Sequence, residues 1–335
     1  MMMTGNIIYV QFESSVLKKN PLGDPHIRRF PVYVPPGYDA QRSTRYPVIF
    51  GIPGFTGYGD LYLQARMFSQ PFNELLDELI AAGKMPPIIY VMPNCLTNYG
   101  GSQYVNSSAV GDYEDYIIQE LVPYIDANFT TSGARGIMGG SSGGIGSFTL
   151  AAKHPDVFSA FADHSGDSAF EYCYLTDVPP FITAMEKYDY DLEKFNAIIH
   201  DRSVQKDKAF MITLNLIAMS ACYSPNPAVE PLGFELPFDI RTGEIRPDLW
   251  RRWLTFDPVH MVEPYLANLR RLKLLYVDCG KRDQFNLLLG ARQLHAKLDQ
   301  FGIDHIYEEY DSDHFLLRRE QKRKSIPLLA EALSD

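Results

Sequence analysis

Residues 136–146 read Gly136-Ile137-Met138-Gly139-Gly140-Ser141-Ser142-Gly143-Gly144-Ile145-Gly146. A short apolar run enters this stretch, and a helical pattern from about Gly143 to Lys153 leaves it. Strand, tight turn and helix form the setting of a G-x-S-x-G elbow, where a serine is held in a strained turn at a strand end. The glycines meet a steric need, because neighbouring chain can pass close only where no Cβ intervenes. Two frames fit: Gly139 to Gly143 centres Ser141, and Gly140 to Gly144 centres Ser142. These residues alone do not separate the two. A phosphate loop fits less well, since no GK[ST] follows and the glycines miss the G-x-G-x-x-G register. A plain Gly/Ser turn without chemistry is the bland alternative, so the surrounding chain has to decide.

Outward from the elbow, short apolar runs alternate with helix-length amphipathic stretches. The runs are Val48-Ile49-Phe50, Ile88 to Val91, Gly136 to Met138, Leu272 to Val277 and His305 to Tyr310. Near-continuous apolar character marks strands covered on both faces, as in a parallel sheet. Between them, Tyr113, Tyr116, Ile117, Leu121, Tyr124 and Ile125 keep one helix face apolar, with Pro123 expected to kink it. Another helix is expected from about Asn286 to Leu298, and two extended segments, Ile7 to Phe12 and Arg28 to Val34, open the chain. This alternation predicts an α/β fold with a mostly parallel, doubly wound central sheet. From about Asp167 to Tyr265 the rhythm stops, and aromatics, prolines and helical patches take over. We expect a single domain over 1–335, with 167–265 inserted as a helical cap over the C-terminal edge of the sheet, where α/β ligand crevices lie.

Composition narrows the function classes. With 335 residues, 46% of them hydrophobic, the chain can bury a sizeable core. A net charge of −10 argues against nucleic acid as a partner. The densest basic run, Arg318 to Lys324, reads as a solvated helix face. Cys95, Cys173, Cys222 and Cys279 are scattered without a CxxC pair, so neither a zinc site nor a dense disulfide framework is expected. The longest apolar stretch, Ala209 to Cys222, is interrupted by Thr213, Asn215 and Ser220, which suits a buried helix and not a bilayer span. The first residues lack the charged and apolar regions of a secretory signal. A cytoplasmic protein without membrane partners is the expectation.

A serine hydroxyl needs a base, and the base needs an orienting acid. For this strand-turn-helix geometry the chain order is Ser, then Asp or Glu, then His. Of eight histidines, only His314 combines a position after the last expected strand with a loop setting, Asp311-Ser312-Asp313-His314-Phe315. His295 falls within a helical pattern, and His305 begins a strand. The acid belongs just past the preceding strand. There Asp283 lies in the loop beyond Gly280, and Asp278 and Asp313 are weaker candidates. An oxyanion hole would draw one backbone N–H from the residue after the nucleophile, Ser142. Phe55, in the loop Gly51 to Gly57, is the candidate for the other.

From about Phe30 onward the chain resembles the Putative esterase branch of the α/β hydrolases. That branch includes esterase D/S-formylglutathione hydrolases, enterochelin esterase-like proteins and the antigen 85 mycolyltransferases. The resemblance is carried by Val32-Tyr33-Val34-Pro35-Pro36-Gly37-Tyr38, Arg45-Tyr46-Pro47-Val48, Gly139 to Gly144, His154-Pro155-Asp156-Val157-Phe158, Asp283 and His314. It implies an α/β-hydrolase fold and a Ser141, Asp283, His314 triad, with Phe55 and Ser142 as oxyanion donors. It also implies that the loop Gly100 to Asn106 borders the pocket, making Gln103, Tyr104 and Asn106 substrate-binding candidates. Two departures stand out: Pro53-Gly54 replaces the His-Gly common before the oxyanion residue, and the insert is unlike the shorter ones of S-formylglutathione hydrolases. The activity implied is that of a serine carboxylesterase acting on a small-molecule ester through an acyl-enzyme, with no metal or organic cofactor. An acyltransferase using the same triad, or a thioesterase of the S-formylglutathione hydrolase type, is the alternative. A homo-oligomer is compatible with all of these.

Overall fold

A computed structural model describes residues 4–41, 43–65, 70–315 and 318–334. Eight strands form one sheet. They are β1 (Asn6–Glu13), β2 (Ile27–Val34), β3 (Tyr46–Ile52), β4 (Ile89–Val91), β5 (Thr131–Gly140), β6 (Ala160–His164), β7 (Leu274–Gly280) and β8 (Ile306–Tyr310). Their spatial order is β1-β2-β4-β3-β5-β6-β7-β8. The β1–β2 and β2–β4 pairs are antiparallel, and every later pair is parallel. The mostly parallel, doubly wound sheet expected from the alternation is therefore present.

Strand β3 shows why the sheet is two-sided. All seven of its residues are buried. Val48, Phe50 and Ile52 join the core on one face, while Ile49 joins the core on the other. Ile137 and Met138 of β5 split in the same way. A strand alternates its side chains between faces, so apolar residues at consecutive positions require helices on both sides. Those helices include α1 (Phe72–Ala81), α2 (Ser142–Lys153), α3 (Lys208–Tyr223), α4 (Leu287–Gln300) and α5 (Arg318–Ala332). The stretch Ala209 to Cys222 lies inside α3, which packs as a buried helix.

Three local expectations need correction. Strand β6 had no counterpart among the expected runs, because Ala160-Phe161-Ala162-Asp163-His164 is neither β-branched nor continuously apolar, yet all five residues are buried. The Pro123 kink takes the form of a π-helical segment, Tyr116–Leu121, directly before the helix Val122–Asn128 that contains the proline. Two side chains of the basic run near the C-terminus are docked and not merely solvated: Arg323 pairs with Glu78 at 2.7 Å, and Lys324 pairs with Glu308.

Between β6 and β7 the chain makes no further sheet strand among the described residues. It forms short helices such as Phe170–Cys173, Val178–Met185, Pro247–Leu254 and Pro258–Met261, with α3 as the longest. Trp253 is fully buried there, its indole N–H donating to Ser224 Oγ at 2.9 Å. Tyr174 and Tyr223 pack on Trp253 with ring centroids 5.6 and 5.4 Å away, which ties this segment together through aromatic contacts.

Candidate active site

Strand β5 ends at Gly140, and the next residue, Ser141, has φ 59° and ψ −128°. A non-glycine residue there is strained, and the surroundings over-determine it. The Ser141 N–H donates to the His164 carbonyl at 3.0 Å, and the Ser141 carbonyl accepts from the Gly144 N–H at 2.7 Å. The flanking glycines have a specific cause. A Cβ on Gly139 would sit 2.4 Å from the Gly143 carbonyl oxygen, and one on Gly143 would sit 2.3 Å from the Ile52 carbonyl oxygen. Helix α2 can start against the end of β3 only because neither carries a side chain.

The two serines differ in their surroundings. Ser142 is the first residue of α2 and is buried. Its Oγ accepts from Gln103 Nε2 at 2.9 Å and its hydroxyl serves the Asp167 carboxylate. A hydroxyl committed in both directions is poorly placed to attack a substrate. Ser141 sits on the elbow and lines the cavity.

Asp283 and His314 arrive from two loops that are tied together. Strand β7 ends at Gly280, whose missing Cβ leaves room for the Ser312 carbonyl, 2.6 Å from where it would be. Lys281 N–H then donates to Tyr310 O at 2.7 Å, and Arg282 N–H donates to Ser312 O at 2.8 Å. Asp283 Oδ2 lies 2.7 Å from His314 Nδ1, with both side chains almost wholly shielded from solvent. Asp283 Oδ1 accepts from the Phe285 N–H at 2.9 Å, so each carboxylate oxygen has a donor. With Nδ1 protonated toward Asp283, His314 presents Nε2 as the basic nitrogen. The Phe285 ring stands edge-on to His314 at 4.8 Å and limits its rotation.

Ser141, Ser142, Phe55 and His314 all line one cavity of about 1050 Å³. Phe55 follows Gly54, where a Cβ would lie 2.9 Å from the Gly140 carbonyl oxygen and 3.2 Å from Ser141 Cβ. The Gly54–Phe55 turn therefore rests directly against the elbow. As the first residue of α2, Ser142 has an N–H without an intrahelical acceptor, at the positive end of the helix dipole.

The substrate-binding candidates from the 100–106 loop fall elsewhere, since Gln103, Tyr104 and Asn106 are not among the residues lining this cavity. Gln103 is buried behind Ser142, and Tyr104 donates its hydroxyl to the Pro53 carbonyl. Both hold the wall in place from behind, at consecutive positive-φ residues (49° and 58°). Asn106 is exposed in a small hairpin and its Oδ1 accepts from the Asp115 N–H at 3.0 Å. The weaker acid candidates are also placed. Asp278 lies within β7 and pairs with a different histidine, His164, at 2.8 Å. Asp313 Oδ1 accepts from the Phe315 N–H at 2.8 Å within the base loop.

Sequence reasoning missed two groups. The first is Asp167, buried in the wall of the cavity against the Ser142 hydroxyl, with Tyr174 donating to its Oδ2 at 2.8 Å. Burial pushes its carboxyl up to about 6, against the opposing pull of Tyr174, His314 and Ser142. Recognising β6 would have flagged it, because it follows that strand by three residues, at the same sheet edge as Ser141. The second is the buried chain Ser325–His164–Asp278–Gln321. Ser325 Oγ lies 3.0 Å from His164 Nε2, and Gln321 Nε2 donates to Asp278 Oδ1 at 2.9 Å. Because the His164 carbonyl accepts from Ser141 N–H, this network braces the elbow, and His164 and Gln321 also reach the cavity wall.

Known proteins share this architecture. Solved structures resembling the chain include a ferulic acid esterase (TM-score 0.63, 18% identity, 98% of this chain and 99% of that one). An S-formylglutathione hydrolase from Agrobacterium tumefaciens resembles it nearly as well (TM-score 0.60, 18% identity, covering 99% and 97%). At these identities the likeness concerns the fold. Among curated sequences, an endo-1,4-beta-xylanase/feruloyl esterase of Xylanibacter ruminicola is 30% identical over 168 residues, 48% of this chain and 22% of that protein. An esterase of Mycobacterium tuberculosis is 34% identical over 170 residues, 48% of this chain and 32% of that protein. The aligned part is thus less than a third of the length of these curated relatives. Residues 25–316 match the family described as Putative esterase, which is most of the chain. With that match, and with an eight-stranded α/β-hydrolase sheet beneath it, the chain belongs to the Putative esterase family.

Proposed function

We propose that this chain is a serine carboxylesterase working through a Ser141–His314–Asp283 triad. The observation that supports it most is the convergence of a positive-φ serine and a shielded Asp–His pair on the wall of one cavity. In this mechanism His314 Nε2 takes the Ser141 proton as Oγ attacks the ester carbonyl. The N–H groups of Ser142 and Phe55 stabilise the oxyanion. His314 then protonates the leaving alcohol, and the acyl-enzyme is hydrolysed by a water that His314 activates in turn. Asp283 holds the imidazole tautomer and stabilises its positive charge. The catalysis needs no metal or organic cofactor.

For the substrate we propose an ester of a hydroxylated aromatic acid. Toward the insertion, the cavity is walled by Met211 and Ile212 with Asp177, Lys208 and Asn215 beside them. Apolar walls with a few polar groups suit a ring bearing hydroxyl or ether oxygens. Feruloyl esterases among the relatives and structural neighbours support the same class. We also place the protein in the cytoplasm. No helix among the described residues is long and apolar enough to cross a membrane, and all four cysteines are buried and free.

The test is labelling with a fluorophosphonate probe, mapped by mass spectrometry, followed by an ester panel. Stoichiometric modification of Ser141 is expected, and labelling at Ser142 would move the nucleophile by one residue. A folded sample that does not react would overturn the serine mechanism. Methyl ferulate should be turned over faster than S-formylglutathione; the reverse ranking would favour the thioesterase alternative. Product analysis with added alcohols separates hydrolysis from acyl transfer.

A further inference from the structure

At the far end of β8 from His314, two histidines and an aspartate meet. His295 and Asp299 lie one helical turn apart on α4, and His305 immediately precedes β8. One ligand atom from each lies within 4.8 Å of the others. The hydrogen-bond geometry dictates which ring nitrogens carry protons. His305 Nδ1 is 2.8 Å from the Ile303 carbonyl oxygen, which can only accept, so Nδ1 bears the hydrogen. His305 Nε2 in the neutral ring then holds a lone pair, and it points at His295 Nδ1, 2.8 Å away. His295 therefore donates from Nδ1, and its Nε2 lies 3.5 Å from Asp299 Oδ2.

From this geometry we propose that His295, Asp299 and His305 bind a divalent transition-metal cation of the zinc class. Two imidazoles and one carboxylate form an N₂O donor set, which suits zinc, copper or nickel and not magnesium or calcium. The Ile303 carbonyl fixes the tautomer of His305, as an outer-shell acceptor does for metal-bound histidines. The His295 ring is held flat on Tyr307, with centroids 4.3 Å apart and planes 11° from parallel. Tetrahedral bonds of about 2.0–2.1 Å place two nitrogen ligands roughly 3.3 Å apart. The His295–His305 contact needs to open by about half an ångström, the proton on His295 Nδ1 leaves as the metal binds there, and the exposed Asp299 side chain turns from Nε2 toward the ion. Water completes the coordination. A second acid-histidine group, Glu171, Asp257 and His260, lacks this character. Asp257 already accepts from the backbone N–H groups of Ala169, Phe170 and Val259 at 3.0, 2.7 and 3.0 Å.

The site joins α4 to the entrance of β8. These are the elements that follow the Asp283 loop and precede the His314 loop. The cation would act as a clamp on the scaffold and not as a participant in the reaction, since the five residues of β8, about 16 Å of strand, intervene.

The experiment uses the full chain, stripped with EDTA, dialysed, and titrated with ZnCl₂ by isothermal calorimetry at pH 7.5. One zinc per chain is expected with micromolar affinity, accompanied by an upward shift in Tm. Asp299→Asn should weaken binding at least tenfold, and His305→Gln should remove both the heat and the Tm shift. His260→Gln should leave both unchanged. Asp299 is mostly exposed, so its variant reports on binding even if His305→Gln folds poorly. No binding below 1 mM zinc, or a site that survives Asp299→Asn and His305→Gln unaltered, overturns the proposal.

Discussion

Replacing Gly143 with alanine should uncouple folding from catalysis. The new Cβ would lie 2.3 Å from the Ile52 carbonyl oxygen and 2.9 Å from that of Pro53, whereas real Cβ contacts stay above 3.0 Å. The gap to close at Ile52 is about 0.7 Å, and both obstacles are backbone, so no side chain can swing aside. Ile52 ends β3 and leads through Pro53 and Gly54 to Phe55, so the displaced segment carries the proposed oxyanion donor. Misplacing a catalytic group by about 1 Å can cost about 10²-fold, and losing one oxyanion donor costs about 10²–10³-fold. We expect kcat on p-nitrophenyl acetate to fall about 100-fold with KM changed less than about threefold. Strain should destabilise the fold by about 1–3 kcal/mol. Gly140→Ala is the internal control. Its Cβ would be 3.3 Å from the His164 carbonyl oxygen, a contact that a slight adjustment relieves, and kcat should stay within about fivefold of wild type. The assay is steady-state kinetics on folded samples, with urea midpoints measured in parallel. If Gly143→Ala keeps half of the wild-type kcat, or Gly140→Ala is equally damaging, the steric account of the elbow is wrong.

Ser141→Ala should lower kcat by about 10⁴-fold or more, while Ser142→Ala, which keeps the backbone N–H, should cost about tenfold or less; single-turnover ester cleavage measures both. Asn106→Ala should leave kcat/KM within about twofold, because its side chain serves the Asp115 N–H and not the cavity. Asp167 should make stability depend on pH. Its folded carboxyl titrates at about 6 against an ordinary 3.8, so between those values the native state binds the proton more tightly than the unfolded chain does. Stability from this group therefore falls as pH rises through that window, by about 3 kcal/mol at 1.36 kcal/mol per unit. Asp167→Asn should flatten the urea-midpoint profile between pH 4 and 6, and an unchanged profile would remove the buried charge as its cause.

Much of the sheet was legible because a parallel strand announces itself through composition. Val48 to Phe50 and Ile88 to Val91 are apolar at consecutive positions, and only a strand covered on both faces needs that. Strand β6 hid because two of its five residues, Asp163 and His164, are polar by type yet buried. His164 is paired with Asp278 on the adjacent strand, and no such partner is visible in one dimension. Asp167 was lost with the strand that delivers it. The 100–106 loop failed differently. Its nearness to the site is real, since Gln103 touches Ser142, but resemblance alone could not show that it braces the wall from behind.

The two aspartates at the end of β7 show what spacing can and cannot decide. Asp278 and Asp283 are five residues apart, and each has a histidine partner about 2.8 Å away. Ser325 even completes a serine-histidine-aspartate chain through Asp278, with Ser325 Oγ 3.0 Å from His164 Nε2. The Asp–His distances do not distinguish the two pairs, but position in the fold does. Asp278 is inside the strand, so it meets a neighbour on the adjacent strand, His164, beneath the sheet edge, where Ser325 is fully buried. Asp283 lies past Gly280, where the chain has left the ladder and can reach a residue in the loop after β8. The same step that frees it from the sheet brings its histidine to the cavity wall beside Ser141. A strand end in an α/β sheet thus sorts chemically identical residues into one set held within the sheet, which supports the elbow, and another on the loops, which the proposed mechanism uses. That sorting explains why the loop residue, and not the better buried strand residue, is the acid of the proposed triad.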